Sequence, residues 1–240
     1  FRSIIENPAM LVLLSFAIMI VIGTFLLMLP SATNTFDSNG SYVGSTSFID
    51  ALFTATSATC VTGLIVHDTG SHFTFFGQFV ILILIQIGGL GIMTISTALA
   101  IIIGQRITLR TESIMQDVTG ESSRIRMVSL IKNILVLTLI VEFLGMIPLY
   151  YIFDKDIFSA IFHSISAFCN AGFSTYSDSF MKYYNHWGLN ITIMGLIILG
   201  GIGFSVLTDV KRTISSRYGW NRLTLHSKIV IVSTFVLILI

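Results

Sequence analysis

Residues 57–63 read Ser-Ala-Thr-Cys-Val-Thr-Gly, and residues 166–172 read Ser-Ala-Phe-Cys-Asn-Ala-Gly. Each stretch closes a short apolar segment, 47–59 in one case and 156–168 in the other, whose first residue is a helix-capping type. A helix of that length rises about 20 Å, which falls short of the ~30 Å of hydrocarbon in a bilayer. Each segment therefore predicts a short helix that cannot cross a bilayer, followed by an irregular loop that ends in glycine.

The composition places these helices in a membrane protein. Of 240 residues only 10% are charged and 54% are apolar, and the mean hydropathy is +0.89, whereas soluble domains carry about 25% charge. This composition excludes a soluble globular enzyme of the cytosol. The formal net charge of +1 gives no global attraction to nucleic acid, so no nucleic-acid partner is expected.

Four apolar stretches are long enough to span the bilayer, at residues 10–29, 76–103, 131–153 and 191–210. The run at 229–240 is too short to span, so we expect the chain to be part of a longer protein. The order of segments predicts a first pore repeat at 1–104, a cytoplasmic loop at 105–130, a second pore repeat at 131–210, a cytoplasmic loop at 211–228, and the start of a third repeat at 229–240.

The charged residues indicate on which side the loops lie. Lys and Arg concentrate in two loops, as Arg106, Arg110, Arg124, Arg126 and Lys132 and as Lys211, Arg212, Arg217, Arg222 and Lys228. Both loops share one face only if the short helices are re-entrant, and the positive-inside rule then makes that face cytoplasmic. The opposite face should attract cations through its acidic side chains, which are Asp37, Asp50, Asp68, Asp154, Asp156 and Asp178. We therefore predict a multi-pass protein of the plasma membrane with basic cytoplasmic loops.

The whole unit of span, short helix, loop and span occurs twice. Residues 25–30 and 143–148 share four of six positions, and Gly-Gly-x-Gly occurs at 88–91 and again at 200–203. These matches lie in the same order as the two stretches quoted first. The sequence therefore predicts an all-α integral membrane fold with an internal duplication.

Irregular backbone at membrane depth is tolerated only where it is buried in protein or lines a water-filled path. Rings of backbone carbonyls in such loops can replace the water shell of a potassium ion. Glycine gives the backbone the conformations that align these carbonyls, and the partially negative C-terminal end of each short helix also favours a cation. Both features indicate a cation pore.

The segments Thr-Ala-Thr-Ser-Ala-Thr-Cys-Val-Thr-Gly-Leu (54–64) and Ser-Ile-Ser-Ala-Phe-Cys-Asn-Ala-Gly-Phe (164–173), with the two Gly-Gly-x-Gly spans, resemble the Trk/Ktr/HKT superfamily of potassium transporters. The resemblance covers essentially the whole chain and is greatest to the membrane subunits of bacterial Ktr systems. It implies a pseudo-fourfold, potassium channel-like pore of which this chain supplies the first half. It also implies that half of a selectivity filter binds potassium through the backbone of Thr59, Cys60, Val61, Thr62, Gly63, Phe168, Cys169, Asn170, Ala171 and Gly172.

The same resemblance implies ligands and partners. Members of this family take up potassium, work as membrane homodimers and are gated by a cytosolic ring that binds ATP or ADP, with sodium as a possible activator. The loops at 104–132 and 211–228 are the expected contacts of that ring. The gate of the family lies in the third repeat.

Other residues receive plainer interpretations. Cys60 and Cys169 are expected to be small buried packing residues, and the glycine clusters to allow close helix packing.

Glu142 lies near the middle of a span and needs a partner or a proton. A structural hydrogen bond is favoured for it, and a role in ion coupling or gating stays open. Gln86 is expected to form an interhelical hydrogen bond. Loop or interfacial positions are expected for His67, His72, His163 and His186.

Alternative functions remain open. No motif pairs a nucleophile with a base, so catalysis is not expected. In a two-pore-loop potassium channel, two copies of the chain would complete the ring. Such filters resemble Thr-x-Gly-Tyr/Phe-Gly, whereas Leu64-Ile65 and Phe173-Ser174 follow the single glycine of each loop here, which disfavours this alternative. A secondary transporter for a small organic substrate is disfavoured because the repeats are parallel and each has its own re-entrant loop. A further alternative is that the two loops are only helix-packing turns in a membrane protein of another function. That alternative must explain the duplication, the short helices and the charge pattern together.

Overall fold

A computed structural model describes residues 8–34, 45–91, 123–214 and 223–239, and this part of the chain is helical without a β-strand. The prediction of an all-α fold is confirmed for these residues. The helices in chain order are α1 Pro8–Leu27, α2 Phe48–Thr59, α3 Thr69–His72, α4 Phe75–Gly91, α5 Ser123–Ile152, α6 Ile157–Phe168, α7 Trp187–Gly201, α8 Phe204–Ile214 and α9 Leu225–Leu239, with short 3₁₀ turns at Pro30–Ala32 and Met181–Tyr183.

Two compact units make up the chain. The first combines Phe1–Leu90 with Glu142–Ile197, and it holds both short helices and the loops that follow them. The second combines Gly91–Val141 with Ile198–Ile240. In the second unit α8 packs against α9, and the carboxylate of Asp209 accepts hydrogen bonds at the start of α9 from Thr224 N at 2.9 Å and Ser227 Oγ at 2.7 Å.

Apolar side chains lie on the surface of the long helices as well as inside. On α1, for example, Leu13 is 67% exposed and Phe25 is 62% exposed. Soluble proteins rarely expose such continuous apolar surface, whereas it suits contact with lipid. Among the described residues one helical segment, Lys132–Ile152, has the length and hydropathy of a span, or two if α7 and α8 form one broken span.

The two short helices, α2 and α6, each start at a side-chain cap. Ser47 Oγ accepts a hydrogen bond from Asp50 N at 3.2 Å, and Asp156 Oδ1 accepts one from Ser159 N at 3.2 Å. Each cap satisfies a backbone N–H that has no partner within its helix, which fixes the residue at which the helix begins. The predicted segments 47–59 and 156–168 thus contain the cap and the helix.

Each short helix lies in a segment that returns to its starting point. An antiparallel bridge joins Thr33, after α1, to Phe73, before α4. In the second repeat the ring of Phe153, after α5, lies 5.6 Å from the ring of Tyr183, before α7. The chain therefore leaves and re-enters each pair of long helices at one end of the pair.

The segment predicted as a single span at 191–210 is two helices in the structure. Helix α7 ends at Gly201 and α8 begins at Phe204. Between them Gly203 has φ +88°, which no residue of a right-handed helix adopts. The second glycine cluster therefore breaks a helix, which differs from the expected close packing within a span.

The two basic loops are shorter than predicted. Helix α5 begins at Ser123, inside the predicted loop 105–130, and α8 and α9 extend into the predicted loop 211–228 from both sides. Apolar length limits the part of a helix that lies in lipid, but the helix itself continues until a breaker intervenes, and residues 123–130 contain no Gly or Pro. Span 10–29 is helical over Pro8–Leu27. The part of span 76–103 beyond Gly91, most of loop 105–130 and Asp37 lie outside the described residues.

Candidate filter loops

Both candidate filter loops are held to their short helix by the same hydrogen bonds. Ser57 Oγ donates to the carbonyl of Leu64 at 2.6 Å, and the equivalent Ser166 Oγ donates to the carbonyl of Phe173 at 2.7 Å. The carbonyl of each serine also accepts a hydrogen bond from the backbone N–H of the fifth residue after it, with an N–O distance of 2.9 Å in the first loop and 2.8 Å in the second. The duplicated sequence therefore folds into duplicated geometry.

The backbone of both loops enters the left-handed region at the same two positions. Val61 has φ 58° and Gly63 φ 75°, and Asn170 has φ 60° and Gly172 φ 72°. A left-handed conformation is unfavourable for a β-branched residue, at a cost of about 1–3 kcal/mol, and such strain persists where the surrounding structure enforces it. Alternating left-handed residues with others turns neighbouring carbonyls towards one side, as ion binding by main-chain oxygens requires.

The two loops meet at their glycines. A Cβ placed on Gly63 would lie 2.6 Å from the carbonyl oxygen of Ala171, and one on Gly172 would lie 3.4 Å from the Cα of Gly63. Neither glycine can therefore be replaced without a cost, because each also has a positive φ. The collision is with a main-chain oxygen only at Gly63.

Helix α4 supports both loops from behind. A Cβ on Gly88 would lie 1.9 Å from the carbonyl oxygen of Thr59, and one on Gly89 would lie 2.6 Å from Cys169 Sγ. The first glycine cluster thus allows close approach, as predicted, but its neighbours are the loops. Cys60 and Cys169 are both free, and Cys169 is buried.

Glu142 connects α5 to α4 and to the second short helix. The Gln86 side-chain amide donates to both carboxylate oxygens of Glu142, at 3.0 and 3.3 Å. Ser164 Oγ, on α6, donates to the Glu142 main-chain carbonyl at 2.6 Å. Glu142 is 6% exposed. The predicted interhelical hydrogen bond of Gln86 is confirmed, and its partner is the carboxylate that needed one.

His163 was expected in a loop or at an interface, and this prediction is wrong. The residue is in the middle of α6 and 2% exposed. His163 follows Ser159 by four residues and precedes Ala167 by four, so all three share one buried helix face. That spacing was the available signal.

The other histidines conform better to the expectation. The rings of His67 and His72 stack at 4.0 Å, and His67 Nε2 lies 3.3 Å from Asp50 Oδ2. Hydrogen bonds from Ser47, which has the larger effect, and from His67 hold the pKa of Asp50 below its ordinary value. This carboxylate therefore stays ionised at neutral pH. His186 Nδ1 accepts a hydrogen bond from Leu189 N at 3.2 Å near the start of α7. In the described part of the chain no cluster of three His, Cys, Asp or Glu could hold a metal ion.

Comparison with known proteins identifies similar chains. The family model of TrkH, cation transport protein, matches residues 5–239. The chain is 40% identical over 236 residues to the Ktr system potassium uptake protein B of Vibrio alginolyticus and 39% identical over 237 residues to that of Bacillus subtilis, covering 96% of this chain and 50% of the relative in each case. It is 36% identical over 239 residues to the potassium/sodium uptake protein NtpJ of Enterococcus hirae, covering 97% of this chain and 51% of that protein.

These relatives are named as uptake proteins, in agreement with the expectation that the chain is not an enzyme. The chain spans about half the length of the curated relatives it matches.

Replacing Gly88 should destabilise the protein, because an added methyl group collides with the main chain of Thr59. We expect Gly88→Ala to cost about 1–3 kcal/mol, seen as a lower midpoint of thermal unfolding in detergent. Gly195 on α7 is the matched control, since a Cβ there meets nothing within 4 Å. Gly195→Ala should melt at or slightly above the wild-type temperature, and equal midpoints for the two variants would contradict the contact.

Replacing Glu142 should expose the role of its pairing with Gln86. Glu142→Leu leaves the Gln86 amide buried without an acceptor, at an expected cost of about 1–3 kcal/mol in unfolding free energy. Glu142→Gln keeps an acceptor and should stay close to wild type. The double variant Gln86→Leu with Glu142→Leu removes both polar groups and should recover most of the loss. A Glu142→Gln protein that is stable but transports nothing would favour the ion-coupling role.

Proposed function

The chain belongs to the TrkH family of cation transport proteins, and on that premise we propose that it supplies two repeats of a potassium-selective pore for uptake across the plasma membrane. In the first repeat α1 and α4 are the spans and α2 is the re-entrant helix. In the second, α5 and α7 are the spans and α6 is the re-entrant helix. The remaining half of a pseudo-fourfold ring comes from further repeats of the same protein.

The observation that carries this proposal is the matched geometry of the two loops. Both have the same serine clamp, and both are left-handed at the third residue and at the final glycine. A packing turn does not require left-handed residues at the same two positions in both repeats, whereas a ring of ion-binding carbonyls needs the same conformation in every repeat. The proposed potassium ligands are main-chain oxygens of Thr59, Cys60, Val61, Thr62, Gly63, Phe168, Cys169, Asn170, Ala171 and Gly172.

Two electrostatic features support a cation as the cargo. The C-terminal ends of α2 and α6 lead directly into the loops, at Cys60 and Cys169. The partial negative charge of a helix C-terminus favours a cation by about 0.3–1 kcal/mol per helix when exposed, and by more where water is scarce. The ionised Asp50 lies at the opposite, outer end of α2, where it raises the local concentration of cations.

The regulation and assembly of the transporter are part of the proposal. Two relatives are named as proteins of a Ktr system and a third as a potassium/sodium uptake protein. From the potassium/sodium name of the third relative we assign sodium as an activator. From the family resemblance we assign a cytosolic ring that binds ATP or ADP as the partner of the basic loops 104–132 and 211–228. These loops then face the cytoplasm. The membrane unit is a homodimer surrounded by lipid.

Ion flux distinguishes this function from the alternatives. A two-pore-loop channel completed by dimerisation predicts that two copies surround each pore, and a secondary transporter predicts accumulation of an organic substrate. Potassium uptake into a strain without other potassium uptake systems, with one pore per full-length chain, supports the proposed function over both.

Substitution of the loop glycines tests the filter directly. Alanine at a left-handed position costs about 1–2 kcal/mol, and at Gly63 it also collides with the Ala171 carbonyl. We expect Gly63→Ala to lower the ratio of potassium to sodium uptake by about tenfold or more, because displaced carbonyls that lose about 1.4 kcal/mol of preference for potassium over sodium change this ratio by a factor of ten. Gly172→Ala should lower it less.

Gly195→Ala again serves as the control and should leave the ratio unchanged. An unchanged ratio in Gly63→Ala protein that is correctly folded would remove the filter assignment.

A further inference from the structure

The outer ends of the two filter loops are held differently. In the second repeat, the residues just after the loop are Ser174 and Thr175, and both form hydrogen bonds with His163 of α6. In the first repeat the equivalent loop residues are apolar, Ile65 and Val66, and they are 51% and 48% exposed. The equivalent of His163 is Thr54, and within the described part of the chain its buried hydroxyl has no hydrogen-bond partner.

The contacts of His163 define its protonation. Nδ1 lies 2.7 Å from the carbonyl oxygen of Ser159, which can only accept, so Nδ1 carries a proton. Nε2 lies 3.3 Å from the backbone N–H of Thr175, which can only donate. His163 is therefore a neutral imidazole whose Nε2 is an acceptor, and the hydroxyl of Ser174 at 3.0 Å donates to it.

These hydrogen bonds hold the segment after the loop, together with one between Ser159 Oγ and Thr175 Oγ1 at 3.1 Å. The Ser174 hydroxyl accepts from the backbone N–H of Tyr176 at 3.0 Å while it donates to His163. The ring of Tyr176 stacks on His163 with centroids 5.2 Å apart. Asn170 and Ser174 also border a cavity of about 300 Å³. Beside a cavity a segment is held less by packing, so its polar contacts contribute more to its position.

The first repeat also rests on this segment. Ser177 Oγ donates to Asp68 Oδ1 at 2.9 Å, and a Cβ on Gly70 would lie 2.0 Å from the carbonyl oxygen of Thr175. The turn at 68–71, formed by the Asp68 cap and the start of α3, therefore packs on Thr175, whose backbone N–H donates to His163, and on Ser177 two residues later.

We propose that His163 is a positioning residue for ion selection, which fixes the outer end of the second filter loop through Ser174 and Thr175 and supports the first loop through the turn at 68–71. The inference rests on the proposed potassium pore. It assigns unequal roles to the two loops, because Thr54 makes no such connection in the first repeat.

The test uses the full-length transporter in a strain without other potassium uptake, with potassium and sodium uptake measured for each variant. A glutamine side chain can place an acceptor where Nε2 lies, whereas asparagine reaches only as far as Nδ1. We expect His163→Asn to lower the ratio of potassium to sodium uptake by about fivefold to tenfold, and His163→Gln to remain within about threefold of wild type. Thr54→Val is the matched control and should leave the ratio unchanged.

Equal ratios for His163→Asn, His163→Gln and wild type would overturn the proposal. If His163→Asn does not fold, Ser174→Ala decides, because it removes one donor to Nε2 from the less buried partner. A lowered ratio in Ser174→Ala protein supports the positioning role, and a wild-type ratio overturns it. A wild-type protein that does not prefer potassium would instead defeat the proposed function itself.

Discussion

The structure depends on the satisfaction of main-chain polar groups in two loops that are neither helix nor strand. At membrane depth such groups have no water to pair with unless the loop lines an aqueous path. Ser57 and Ser166 satisfy some of these groups, because each hydroxyl donates a hydrogen bond to the carbonyl of the residue after the loop glycine. The carbonyls of Ala58 and Ala167 accept hydrogen bonds from the backbone N–H groups of Val61 and Asn170. In the proposed pore the loop carbonyls that follow them are left to bind an ion. A desolvated cation is the partner that such oxygens best accommodate.

Close approach at glycines holds the loops in place. Gly88 and Gly89 allow α4 to press on both loops, and Gly63 allows the loops to meet. Glu142 then joins α5 to α4 through Gln86, while its carbonyl holds α6 through Ser164. The second loop receives an additional clamp from His163. The two candidate filter loops are therefore supported by helices on several sides, and they are similar in backbone but different in side-chain support.

Much of this arrangement could be predicted from the sequence, because duplication, helix length and charge distribution are all local properties. The caps Ser47 and Asp156 and the pairing need of Glu142 belong to this class. The break at Gly203 could not be predicted, since a glycine in an apolar run is compatible with either a packed helix or a broken one. The burial of His163 had a signal in its spacing to Ser159 and Ala167, but its partners Ser174 and Thr175 could not be predicted, because they follow an irregular loop whose path no periodicity reveals. The packing of α4 against the two loops could not be predicted either, because it depends on tertiary contacts.

Anomalous diffraction from crystals of the full-length protein grown with rubidium or thallium tests the central claim most directly. The account predicts a bound ion between the loops, coordinated by main-chain oxygens of residues 59–63 and 168–172. Loops sealed against side chains, with the heavy cation bound elsewhere or nowhere, would contradict it.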